Sequence, residues 1–115
     1  MGELSEQVRR PTAPGDVLRQ EFLEANNITQ DRLAVAMGVS RFRVNEIING
    51  RRAVTPETAL LLAAALGTSA EFWLNLQRAV DLYQSRLELR PQLKKVERLV
   101  PESSEQDWLV DLPEE

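Results

Sequence analysis

The chain contains neither cysteine nor histidine. Without cysteine there are no disulfides and no thiolate metal sites, and nothing points to an oxidising compartment. Without histidine, the commonest general base and the commonest metal ligand are both missing. Aromatics are scarce, with three Phe, two Trp and one Tyr. No apolar run approaches the ~18 residues that a membrane span requires. The opening MGELSEQVRRPTAPG lacks the hydrophobic stretch of a secretion signal. Basic residues stop at Arg98, whereas residues 101–115 hold six acidic ones. These absences favour a cytoplasmic protein with no membrane partner and no cofactor or metal. They also argue against an enzyme, since catalysis would rest on Asp, Glu, Lys or Ser residues that no motif brings together.

What is present fits one domain with one core and an accessory segment, in 115 residues. The apolar fraction of 43% and charged fraction of 28% are those of an ordinary globular chain. The net charge of −4 is unevenly spread. Residues 1–100 carry fourteen basic against twelve acidic residues, a balance of +2, and the last fifteen carry −6. Five of the fourteen basic residues fall within residues 32–52.

Helical periodicity dominates up to residue 91. Residues 1–13 are polar and aperiodic and are read as an extended arm. A first helix is expected from Pro14 or Gly15, with Val17, Leu18, Phe22, Leu23 and Ala25 turned inward and Asn26-Asn27 as its stop. Thr29 is a natural N-cap for a second helix over Gln30–Met37, burying Leu33, Ala34 and Met37, with Gly38 as the turn. Ser40 caps a third helix over Arg41–Ile48, which buries Val44, Ile47 and Ile48 and ends at Asn49-Gly50. Thr55, Pro56 and Glu57 form a start signal. The helix TALLLAAAL that follows is apolar nearly all round, so it is expected to be the central buried element, ended by Gly67. Thr68 and Glu71 have capping-box spacing, with Ser69 as the competing cap. A fifth helix, EFWLNLQRAVDLYQSRLEL, runs to Pro91. Beyond it, residues 92–100 suit either a short helix or an edge strand. The fold class is therefore all-α: a five-helix domain over residues 14–90, with the arm before it and a C-terminal extension, 91–115, after it.

The second and third helices carry a helix-turn-helix pattern. Ala34 is the small residue where the helices cross, and Gly38 allows the left-handed turn. Leu33, Met37, Val39, Val44 and Ile47 hold the pair together. The outward face of the third helix then offers Arg41, Phe42, Asn45 and Glu46 as base readers. Arg suits guanine, Asn suits adenine and an aromatic edge suits a thymine methyl. Thr29, Gln30, Ser40, Arg43, Asn49, Arg51 and Arg52 surround that face as candidate phosphate contacts. Residues 29–52 sum to +3. The plainer alternative makes Arg41, Arg43 and Asn45 a solvated face and Phe42 a core residue.

These residues resemble the HigA-type (VapI-like) antitoxins of the Xre helix-turn-helix superfamily, whose domain is lambda-repressor-like. The stretch TQDRLAVAMGVSRFRVNEIINGRRAVTPETALLLAAALGTSAEFWLNLQ and the opening APGDVLRQEFLEANNIT carry the likeness over about residues 13–87. Ala13 and Ala70 depart from residues that are often His and Pro in that family. The resemblance implies a dimeric autorepressor that binds operator DNA and neutralises a RelE-like, mRNA-cleaving toxin of the HigB type.

The fifth helix supports a homodimer on its own terms. It presents more apolar surface than one small domain readily buries, and Trp73, Leu74, Leu76, Val80, Tyr83 and Leu87 are the expected interface. Packing around the fourth helix is the plainer alternative. The tail, with Trp108, Leu109, Asp111 and Leu112, is either a solubilising end or a toxin contact that sets carboxylates and apolar anchors on an RNA-binding surface. Two other functions remain: a stand-alone Xre-type repressor without a toxin, and a protein-interaction module with a vestigial helix-turn-helix.

Overall fold

Helix starts and stops fall where local side-chain chemistry puts them. The computed structural model describes residues 9–101, so the tail positions Trp108, Leu109, Asp111 and Leu112 lie outside the described residues. Helix α1 opens as an α-turn, Pro14–Val17, and continues in π register over Leu18–Glu24. After it come α2 (Gln30–Met37), α3 (Arg41–Ile48), α4 (Pro56–Leu66), α5 (Ala70–Glu88) and a single turn, α6 (Arg90–Leu93). Among the described residues there is no strand, so the open choice at 92–100 resolves to one helical turn followed by irregular chain.

Capping explains the boundaries. Thr29, Ser40 and Thr55 each accept a hydrogen bond from the backbone N–H three residues on, at 3.0, 3.1 and 3.3 Å, satisfying donors that the first helical turn leaves free. Ser69 rather than Thr68 caps α5, accepting from the Phe72 N–H at 3.0 Å. The Thr68 hydroxyl is engaged elsewhere, accepting from the Trp73 indole Nε1 at 2.7 Å. Gly38 ends α2 at φ 74°, in the left-handed region that side chains with a Cβ disfavour. Asn27 takes the same role after α1 at φ 57°.

The π register of α1 was not legible as periodicity. It bonds residue i to i+5, which suits the burial of Leu18 with Leu23, and it leaves the expected inward residue Ala25 exposed. One core joins Leu18, Leu23, Leu33, Ala34, Met37, Val44, Ile47, Ile48, Val54, Ala59, Leu62 and Trp73. Within it α2 packs on α3 and α4 on α5, while α1 crosses the end of α3. That crossing requires glycine. A Cβ on Gly15 would sit 2.4 Å from the carbonyl oxygens of both Ile47 and Ile48.

Two expectations about the core need correction. Helix α4 is buried on one face only, through Thr58, Ala59 and Leu62, whereas Leu60 stands 63% exposed. Its apolar composition exceeds what a single chain covers. Trp73, expected at a dimer interface, is wholly enclosed within its own chain. Its ring centroid lies 5.3 Å from that of Phe22 and 5.0 Å from that of Phe72, and its N–H is satisfied by Thr68. Leu74 and Leu76 also pack partly against this core.

Candidate nucleic-acid interface

The α2–turn–α3 unit stands on the core through Leu33, Ala34 and Met37 on one side and Val44, Ile47 and Ile48 on the other. With those positions turned in, the helical repeat drives Phe42, Asn45, Glu46 and Asn49 toward the opposite side of α3. Phe42 is 67% exposed, so its ring is not a core element. Arg41 is exposed, and its Nε lies 3.5 Å from Asp31 Oδ1, a surface ion pair of little net stability.

Asn45 is held from two directions. Its Nδ2 donates to Gln30 Oε1 at 3.2 Å, and its Oδ1 accepts from Asn49 Nδ2 at 3.1 Å. Asn49 Nδ2 also donates to the Asn45 backbone carbonyl at 3.0 Å. The three amides thus tie the start of α2 to the face of α3, and each retains donors or acceptors for a further ligand.

Glu46 does not stand free as a base reader. Its side chain is only 20% exposed, and its Oε1 accepts from Arg52 Nε at 2.9 Å and Nη2 at 2.6 Å. The chain makes this possible by folding back after α3, where the backbone N–H groups of Arg51 and Arg52 both donate to the Glu46 carbonyl, at 2.9 and 3.3 Å. Arg52 is therefore neutralised by an internal partner, whereas Arg51 is exposed and has no side-chain partner among the described residues.

Arg43 also departs from expectation. Half-buried, it turns toward α4 and donates from Nη2 to Thr58 Oγ1 at 2.9 Å, while its Nε is enclosed without an acceptor. It is a tie between α3 and α4 rather than an open phosphate contact. The signal for this is weak, because Arg43 lies on the flank of the buried stripe, from which a long side chain can reach either way. Thr29 and Ser40 commit their oxygens to capping, but a capping hydroxyl keeps its proton to donate.

Beyond this face, no group of three acidic residues stands where it would hold a metal ion among the described residues. No described helix is long and apolar enough to cross a membrane.

Two short helices joined through a left-handed glycine, with an exposed polar and aromatic face on the second, define a helix-turn-helix protein. The helix-turn-helix family model matches residues 20–73. Antitoxin HigA-1 of Vibrio cholerae serotype O1 is 48% identical over 91 residues, spanning 79% of this chain and 86% of the relative. The chain belongs to the HigA family of antitoxins. Among solved structures, the Pseudomonas aeruginosa antitoxin HigA with the higBA promoter superposes with a TM-score of 0.74 at 36% identity, covering 79% of this chain and 100% of that one. Antitoxin GraA in complex with its operator matches at 0.74 and 39%, over 81% and 95% of the respective chains.

Proposed function

We propose that the chain binds double-stranded operator DNA as a homodimer, with α3 in the major groove, represses its own promoter, and neutralises a RelE-like, mRNA-cleaving toxin. The observation that carries the DNA reading is the outward presentation of Arg41, Phe42 and Asn45 on a helix anchored by its other face. The structures of the Pseudomonas HigA with the higBA promoter and of GraA with its operator support binding to operator DNA. Gln30 and Asn49 hold the Asn45 amide, which pre-sets it for a bidentate contact to adenine. Arg51, the capping hydroxyls and the N-terminal turn of α2 contact phosphate. With Trp73 enclosed, the dimer seam is left to Val80, Tyr83 and Leu87, bordered by Leu74 and Leu76.

A gel shift with the Arg41→Ala, Asn45→Ala double variant tests the DNA reading. Operator binding is lost while the fold and dimer persist; unchanged operator affinity refutes the assignment. Toxin neutralisation is tested by co-purification with the product of the adjacent small open reading frame. Recovery of the chain without it favours a stand-alone repressor.

A further inference from the structure

Helix α5 is gripped by the core over its first two turns and carries the proposed dimer seam on the turns beyond. The grip consists of Ala70, Trp73, Leu74 and Leu76. The seam follows at Val80, Tyr83 and Leu87. Between the two stands Gln77, half-buried. Its Oε1 accepts from the Val54 backbone N–H at 2.8 Å, and its Nε2 donates to Asp81 Oδ1 at 2.9 Å. Both polar ends of the side chain are committed, which fixes the amide in one orientation.

Val54 is a core residue, 4% exposed, in the segment that joins α3 to α4. That segment is fastened to α3 at its start. The backbone N–H groups of Arg51 and Arg52 donate to the Glu46 carbonyl, and the Arg52 side chain binds the Glu46 carboxylate. A run of directional bonds thus leads from Glu46 on α3, through residues 51–54, to Gln77 and Asp81 on α5, beside Val80 of the seam. The apolar contacts around Trp73 hold α5 in place but are non-directional. A hydrogen bond, by contrast, weakens steeply as its angle bends, so the tie at Gln77 resists rotation of α5 against α3.

We infer that Gln77 is a positioning residue: its bond to Val54 sets the angle between α3 and the dimer helix, and so the half-site spacing at which two copies of α3 engage one operator. This rests on the dimeric operator binding proposed above. In a two-fold dimer any tilt of α5 against α3 is made twice, once in each protomer. Moving one half-site by a single base pair demands a shift of about 3.4 Å and a rotation of roughly 34–36° around the duplex. Where geometry forbids both copies to engage, a bivalent gain of roughly 10²–10⁴ is lost. The tie can withhold from a misplaced partner no more than its own net worth, which for one hydrogen bond is about twofold to twelvefold in affinity.

The test is fluorescence anisotropy of the full chain on its own promoter fragment, with the parental spacing and with one base pair added or removed between the half-sites. The parent chain prefers the parental spacing. Gln77→Leu removes both bonds and narrows that preference by about twofold to twelvefold. A base change inside a half-site costs this variant as much as it costs the parent. A variant that merely unfolds more readily would lose affinity for every fragment by the same factor and keep the preference. The charge-conserving exchange Gln77→Glu, Asp81→Asn rebuilds the tie, because a carboxylate at 77 accepts from the Val54 N–H and from an amide at 81. It restores the parental preference. Should Gln77→Leu fail to fold, Asp81→Ala serves instead: it alters an exposed residue, frees the Gln77 amide to turn away from Val54, and narrows the preference in the same direction. An unchanged preference in the folded variant, or one that the exchange does not restore, overturns the assignment. A parent chain indifferent to spacing refutes the dimeric operator reading, and the inference falls with it.

Discussion

Replacing Glu46 by Gln separates the base-reading role expected from the sequence from the Arg52 pairing seen in the fold. In the folded chain the Glu46 carboxylate occupies two donors of Arg52 through one oxygen. The pair is partly open to water, with side-chain exposures of 45% for Arg52 and 20% for Glu46. Its worth to folding is therefore in the range of about 0.2–1 kcal/mol found for exposed ion pairs, a shift in Tm of at most about 8 °C for a domain of this size. The larger effect falls on DNA. Glutamine no longer neutralises Arg52, which then adds one phosphate contact per protomer. Each added contact steepens the fall of log K with log salt by about 0.9. Between 50 and 200 mM salt that makes the variant about threefold to fourfold more salt-sensitive per protomer. Operator and non-operator DNA should both be bound more tightly at low salt, by the same factor. Fluorescence anisotropy across a salt series reads affinity and slope together. If the variant instead loses operator affinity while non-operator binding is unchanged, Glu46 reads a base, as a carboxylate does with cytosine N4, and the neutralised-clamp reasoning fails.

Three further perturbations probe the packing that aims the interface. Gly15→Ala places a methyl 2.4 Å from two backbone carbonyl oxygens, and overpacking of this kind costs about 1–3 kcal/mol; a urea midpoint equal to that of the parent would show that α1 slides without strain. Trp73→Ala empties the centre of the core and leaves Phe22 and Phe72 without their shared partner, a loss of about 3–5 kcal/mol, so the variant should be largely unfolded by circular dichroism at 37 °C. Arg43→Met keeps the flank filled and removes an enclosed Nε–H that has no acceptor, a group whose burial costs about 1–3 kcal/mol. Its stability should be equal or higher and its DNA salt slope unchanged, and a slope shallower by about 0.9 would return Arg43 to the phosphate contacts.

What could be read from the chain was what is decided within a few residues. Thr29, Ser40 and Thr55 cap the very helices that their positions announced, because a cap needs only its own side chain and the N–H three residues on. Gly38 and Gly67 end helices because a left-handed φ is a local demand. The exposure of Phe42 followed from Val44, Ile47 and Ile48 already filling the inward face. Harder to read was anything settled by an element elsewhere in the chain. Arg43 turns inward because Thr58, fifteen residues away, offers its hydroxyl. Trp73 belongs to the core because α1 brings Phe22 to it and the preceding loop brings Thr68. Gly15 is needed only because α3 ends against it. Glu46 and Arg52 lie six residues apart on a helix and the loop after it, and no helical spacing rule links them.

The folded arrangement also changes how the charge of the interface is to be understood. Over residues 29–52 the sequence sums to +3, yet little of that charge stands open. Arg43 is half-buried against Thr58, Arg52 is bound to Glu46, and Arg41 lies beside Asp31. Arg32 and Arg51 remain without an acidic partner among the described residues. A surface with two open cations per protomer draws little free energy from counterion release, which scales with the number of phosphates neutralised. Discrimination must then come from geometry: amides held by Gln30 and Asn49, an aromatic ring fixed outward and, in the proposed dimer, a second α3 one helical turn away.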